Sequence, residues 1–239
     1  MEPVDELAPD GVLRASINLG NPVLAQGDAS NPAGVTVDLA REIAHRLGVP
    51  VEFVCFDAAR KSFEALTTGA ATVGFMAIEP ARADQVAFTP PYALIEGVYV
   101  VPDDSPLSTV ADIDVAGVRI GVKEGSAYDL FLTRTLEHAE LVRGAEGTDV
   151  YVQESLEAGA GIRQPVSAFA ERTPGQRVID EAFMQIRQAV AVPKSLSDTA
   201  VRWLHETVEE LKASGFVAAS LEANGQGGVR VAPAEGRAQ

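Results

Sequence analysis

Residues 39–56, LAREIAHRLGVPVEFVCF, decide the fold class. Leu39, Ile43 and Leu47 recur every fourth residue with Ala40 and Ala44 beside them, which gives a helix one apolar face. Gly48 then acts as a C-terminal stop, and Pro50 blocks continuation. Residues 51–56 read as a strand. Upstream, residues 13–17 read as a first strand. The loop Asn18-Leu19-Gly20-Asn21-Pro22 follows, rich in turn formers, and residues 25–34 extend it. Downstream, residues 57–69 read as a second helix ending near Gly69, and residues 72–78 (TVGFMAI) as a third apolar run. Alternating strand and helix is the pattern of a parallel sheet with helices on its faces, so the chain is α/β. Ligands of such sheets bind at the carboxyl ends of the strands. The loops at 18–22, 57–61 and 75–82 are the candidates on topology alone.

A second α/β unit follows. Residues 97–101 (GVYVV) form an apolar strand closed by Pro102-Asp103-Asp104-Ser105-Pro106. Residues 118–122 (VRIGV) form another, and Gly125-Ser126-Ala127 opens a helix carrying Leu130, Phe131 and Leu136. Residues 150–152 read as a short strand and 163–171 as a helix. Residues 189–192 (AVAV) form a strand stopped by Pro193. Ser197 or Asp198 caps a helix with Val201, Leu204, Val208 and Leu211 on one face; Gly215 ends it, and a short helix follows at 216–223. Residues 225–239 read as a disordered tail.

The chain has 239 residues, 46% of them hydrophobic, which is enough for one large domain or two small ones without disulfides or metals. Its 19 basic and 34 acidic residues leave a net charge of −15, which argues against nucleic acid as a partner. The same charge favours a soluble monomer. It does not forbid an anionic ligand, because a few buried arginines can dominate one pocket. The single cysteine, Cys55, lies in an apolar run and reads as a small buried hydrophobe. His45, His138 and His205 all fall in expected helices, flanked by charged residues and without metal-type spacing. No phosphate-binding, zinc or nucleophile-elbow motif is present, and the GxGxxG pattern begun at Gly159 fails at Gln164. No cofactor and no catalytic residue is therefore expected. Residues 1–6 show neither a basic nor an apolar signal region. The sequence as written reads as cytoplasmic, or as periplasmic if a signal peptide has been removed.

Three segments carry a family resemblance. Residues 34–40 (GVTVDLA) match a G-hydrophobic-x-V-D-L approach to a first helix. Residues 79–92 (EPARADQVAFTPPY) resemble T-x-E-R-x-x-x-hydrophobic-x-F-S-x-P-Y, and residues 113–126 (IDVAGVRIGVKEGS) resemble L-x-G-K-x-V-G-V-x-x-G-T. In combination they resemble the family 3 solute-binding proteins, the polar amino-acid receptors of ABC importers, over about residues 11–224. The resemblance implies a two-lobed, type II periplasmic-binding-protein fold, each lobe a sheet flanked by helices, with two hinge strands. Lobe 1 would be 11–97 plus 190–224, lobe 2 would be 98–189, and 1–10 and 225–239 would be flexible termini. Closure of the lobes would bury a small carboxylate-bearing ligand, an amino acid or related organic acid, for delivery to an ABC permease.

The resemblance also implies a site. Arg82 would hold the ligand's carboxylate with a bidentate fork, unless it forms a surface ion pair with Asp84. Ser126, at a helix N-terminus, suits either an anion or plain capping. Asn18 and Asn21 follow the first strand, where the family presents ligand contacts or where loop chemistry alone would place them. Three departures bear on the ligand. Ala77 replaces a hydroxyl, and Ala59 or Arg60 stands where an aromatic would stack. The segment Gly161-Ile162-Arg163-Gln164-Pro165 lacks the acid that pairs with an α-ammonium. Arg163, Gln164 and Arg187 become candidates for the site, or bridges to surface acids, and the expected ligand is a keto, hydroxy or dicarboxylic acid. The alternative is a dehydratase with Glu79 or Glu124 as proton donor, against which both read as solvated loop acids. A third reading, an interaction module, would need Phe75 and Met76 to fill the ligand space.

Overall fold

A computed structural model describes residues 2–235. The chain starts with α1 (Pro3–Leu7), β1 (Leu13–Asn18) and the small hairpin β2 (Gln26–Asp28) and β3 (Asn31–Ala33). Next come α2 (Val35–Leu47), β4 (Val51–Phe56), α3 (Ala59–Thr67), β5 (Val73–Ala77) and α4 (Pro80–Ala83). A long strand, β6 (Val86–Pro102), leads to β7 (Arg119–Lys123), α5 (Ala127–Thr135), β8 (Glu140–Gly144) and α6 (Gly147–Gln153). Then follow β9 (Ala158–Ile162), α7 (Arg163–Arg172), β10 (Gln176–Val178) and β11 (Met184–Pro193). The chain finishes with α8 (Asp198–Ala213), α9 (Phe216–Ala223) and β12 (Arg230–Val231).

These elements form two compact units, residues 1–94 with 187–239 and residues 95–186. Both divisions fall inside strands, β6 and β11, three residues ahead of the expected 97/98 and 189/190. In the first unit β1 pairs in parallel with β4 and with β5, and β11 closes on β5 antiparallel. In the second unit β7 pairs in parallel with β8 and β9, while β9 and β10 run antiparallel to the second half of β6.

The helix starts and stops follow the sequence signals. Leu39 and Ile43 of α2 are fully buried, and Gly48 ends the helix with a left-handed φ of 72°, its N–H donating to the carbonyls of Ala44 and His45. Ser197 caps α8 by accepting the Ala200 N–H, and Leu204, Val208 and Leu211 face the core. Phe75 and Met76 pack in the interior of the first unit, Phe75 edge-on to Tyr92 at 6.3 Å and Met76 against Ala65, Leu66 and Ala191.

Several expectations are corrected. Residues 150–152 are helical, within α6, because Tyr151 turns inward onto Val98 and Val100 while Val152 faces out. His138 lies in the turn between α5 and β8, although all three histidines are exposed. Cys55 is only partly buried, with its thiol pushed up chiefly by burial and secondarily by Asp28. The described parts of both expected flexible termini carry structure; Met1 and residues 236–239 lie outside the described residues. Leu7 of α1 is buried, and Glu6 accepts hydrogen bonds from the Ser197 N–H and hydroxyl. At the other end β12 pairs with Ala93 and Leu94 of β6, Val229 and Ala232 are buried, and Lys212 Nζ donates to the carbonyls of Pro91 and Pro233.

Gly34, the first residue of the GVTVDLA segment, has φ 107°, and a Cβ there would meet Leu24 O at 2.5 Å and Ala25 Cα at 2.9 Å. Gly48 has a comparable positive φ but open space around it. In urea unfolding, Gly34→Ala should therefore cost about 3 kcal/mol and Gly48→Ala about 1 kcal/mol. Equal losses would show that the 24–25 loop yields freely. Ending the chain after Gly228 removes β12 and two buried side chains, and should lower stability by about 2 kcal/mol in the same assay.

Candidate functional site

In the first unit the site begins at the carboxyl end of β5, held in place by β1 on one side and β11 on the other. After Ala77 the chain runs through Ile78 and Glu79 into the short α4, where the Glu79 carbonyl accepts the N–H groups of Arg82 and Ala83. Arg82 is 4% exposed and Glu79 is 2% exposed. Burial lowers the Arg82 pKa to about 10, and the nearby Glu79 charge opposes that shift. Arg82 Nη1 donates to the Ala77 carbonyl at 3.3 Å, so Ala77 contributes its backbone to this corner. A buried guanidinium beside a buried acid excludes the surface pair with exposed Asp84, and equally excludes a solvated Glu79. Glu124, by contrast, is exposed.

Asn18 ends β1, and its Oδ1 accepts the Gly20 N–H at 3.0 Å. Asn21 is buried; its Oδ1 accepts from Val23 N–H, and its carbonyl accepts from Leu24 and Ala25. Both side chains therefore shape the loop after β1. Beside that loop, at the carboxyl ends of β1 and β4, lies a cavity of about 330 Å³. It is lined by Leu19, Ala29, Cys55, Phe56, Asp57 and Lys61, with the last two ion-paired at 2.7 Å.

In the second unit Ser126 caps α5, its hydroxyl accepting the Asp129 N–H at 3.1 Å. Asp129, 3% exposed, turns back to accept the Gly125 N–H at 2.8 Å and is bound by Arg143 Nε at 3.0 Å. Thr133 donates to Asp129 as well and receives Arg143 Nη2 at 2.8 Å. Tyr128 is buried with its hydroxyl bonded to the Ser126 side chain, and burial pushes its pKa well above the ordinary phenol value. Lys123, at the end of β7, bonds Glu146 at 2.5 Å. Arg163 opens α7; its Nε meets Glu96 at 2.5 Å and its Nη2 donates to the Asp180 carbonyl at 2.7 Å. Gln164 is half-buried, and its Oε1 has no hydrogen-bond partner among the described residues. Arg187, in the first unit, is exposed and donates to Glu235 at 3.1 Å.

The structure thus brings Arg82 and Ala77 together in one unit, with Asn18 and Asn21 on a neighbouring strand end, and sets Ser126, Arg163 and Gln164 in the other. Sequence reasoning passed over Asp129, although Ser126-x-x-Asp129 is a capping pattern whose acid reaches back along the chain. It also passed over the Lys123–Glu146 pair, which sequence spacing does not reveal.

Comparison with known proteins agrees with this architecture. A search among curated proteins found no significant match. Among solved structures, a mutant of ArgBP from T. maritima is 26% identical, covers 92% of this chain and 98% of its own, and has a TM-score of 0.75. A solute receptor for L-cysteine of Neisseria gonorrhoeae is 25% identical, covers 92% of each chain, and has a TM-score of 0.77. An ancestral amino acid-binding protein described as a precursor of cyclohexadienyl dehydratase shares the fold, at 21% identity, 93% and 99% coverage and a TM-score of 0.76. The family profile matches residues 15–224, and the chain belongs to the bacterial extracellular solute-binding proteins, family 3.

Proposed function

We propose that the protein binds a small carboxylate-bearing solute, an amino acid or a related organic acid, and hands it unchanged to an ABC-type permease outside the cytoplasmic membrane. The observation that carries this reading is the buried guanidinium of Arg82 at a strand's carboxyl end, where α/β sheets bind ligands. A planar fork in a low-dielectric pocket suits a carboxylate, and Arg keeps its charge there where Lys would lose it more readily. In the second unit the proposed contact is Ser126, on a loop fixed by Asp129. Asn18 and Asn21 enter as the frame of the loop after β1. Arg163 does not enter as a ligand group, because its Nε is held by Glu96 and its Nη2 by the Asp180 carbonyl. The similarity to ArgBP and to the L-cysteine receptor supports a ligand of amino-acid size.

One observation favours a second reading. Glu79, a buried acid beside Arg82, has the placement a dehydratase would need for a proton donor. Incubation with small 2-hydroxy acids, followed by proton NMR, separates the two. Binding alone leaves the acids unchanged, whereas loss of water identifies a lyase.

A thermal-shift screen against amino acids and organic acids checks the leading reading. A saturating ligand at 100-fold excess over Kd adds about 2.7 kcal/mol of stability. Arg82→Ala should weaken binding by about 30-fold or more, and so cut that shift to about a third or less. It should also lower the unliganded melting temperature, since the buried Glu79 loses the Arg82 charge near it. A shift undiminished in Arg82→Ala would remove Arg82 from the site.

A further inference from the structure

The chain crosses between the two units twice, between Leu94 and Ile95 in β6 and between Ile186 and Arg187 in β11. If these strands serve as a hinge, the bend has to fall where their pairing leaves room for it. A residue held in a ladder of hydrogen bonds cannot change φ and ψ freely without breaking them. The points at which the two strands are pinned therefore fix where a hinge can move.

One short segment near the C-terminus pins both strands. β12 pairs with Ala93 and Leu94 of β6, the last two residues before the crossing. Just beyond β12, the Ala232 N–H donates to the Tyr92 carbonyl at 3.1 Å. Lys212 Nζ ties the same two stretches together, donating to the carbonyls of Pro91 at 3.1 Å and Pro233 at 3.0 Å. Val229 and Ala232 are buried, so the segment is packed as well as bonded. Glu235 then accepts from Arg187 Nη2 at 3.1 Å, and Arg187 is the first residue after the crossing in β11. The hold on β6 is the stronger of the two, because Arg187 and Glu235 are both about half exposed and such pairs contribute little.

The second unit has anchors of its own on β6. β9 pairs with it from Gly97 onward, and Arg163 Nε bonds Glu96. Ile95 and Glu96 alone lie between the β12 ladder and the β9 ladder.

We propose that residues 229–235 form a hinge strap. By gripping β6 at 91–94 and β11 at Arg187, the strap confines bending to Ile95–Glu96 and to the 186/187 crossing. It thereby holds the two units to one path of motion. A chain without it carries the same units on a longer and looser joint. The proposal rests on β6 and β11 being the hinge strands and not on the identity of any ligand.

The test is the spread of distances between two nitroxide labels, measured by double electron–electron resonance on the protein without ligand. His45, His138 and His205 are exposed, and Cys55→Ser removes the native thiol. His205→Cys with His138→Cys puts one label in each unit, and His205→Cys with His45→Cys puts both in the first. Ending the chain after Gly228 should widen the distribution between units about twofold and leave the one within the first unit unchanged. Glu235→Gln should widen it by less, and Arg187→Glu combined with Glu235→Arg should return it to the wild-type width. An equal width between units with and without residues 229–235 overturns the inference. So does equal widening of both label pairs, which would mean that the cut loosens the first unit as a whole. No change in Glu235→Gln removes β11 from the strap's hold. If circular dichroism shows the shortened chain unfolded, Glu235→Gln and its charge reversal decide alone. Because no ligand is added, failure of the carboxylate reading leaves the outcome of this test untouched.

Discussion

Two opposite charges buried on one turn, Glu79 and Arg82, constrain the structure around them. Taking both out of water is costly, and the cost is offset only if they stay close and their remaining hydrogen-bond capacity is met. That requires a backbone that does not move. β5 supplies it by lying between β1 and β11, so the strand delivering Glu79 and Arg82 is hydrogen-bonded on both sides. The Ala77 carbonyl then receives Arg82 Nη1 directly.

The second unit applies the same logic with different parts. Asp129 is buried, and its two oxygens are shared among the Gly125 N–H, Arg143 and Thr133. The result is a rigid β7–α5 turn in which the Ser126 hydroxyl and the loop amides have fixed directions. A loop fixed this way is already ordered, which is the usual advantage of a pre-formed arrangement. Here too a buried charge organises backbone, and packing makes the arrangement permanent.

Much of this was legible in the sequence because local chemistry agreed with tertiary structure. The stop at Gly48, the cap at Ser197 and the turn at Gly125-Ser126 all rest on short-range rules that the fold respects. What was hidden depends on distant partners. β9, with the sequence AGAGI, has only Ile162 as a branched residue, because Gly159 packs under Tyr151 and Gly161 under Val166. Pro90 and Pro91 lie inside β6, which runs on to Pro102. The chain end resembled a tail because Gly225, Gly227 and Gly228 open it, yet Arg230 and Val231 just beyond them suffice to pair with β6. Glu79 was misjudged for a similar reason. An acid before a proline looks like a loop residue, and only the three-dimensional position of Arg82 makes it an interior one.

The first unit is discontinuous in sequence, and that has a consequence for how the protein is made. The second unit is one unbroken segment and has all its strands once residue 186 has been synthesised. At that moment the first unit still lacks the part of β11 that pairs with β5, and α8, α9 and β12, so β5 has β1 on one side and an unsatisfied edge on the other. At ordinary rates of synthesis the missing part takes roughly 3–10 s more to appear. Throughout that interval the strand that leads into the Glu79–Arg82 turn has an open edge, and an open edge is the kind of surface on which chains aggregate. The nascent chain is thus most vulnerable in its N-terminal third, well after that third has been made.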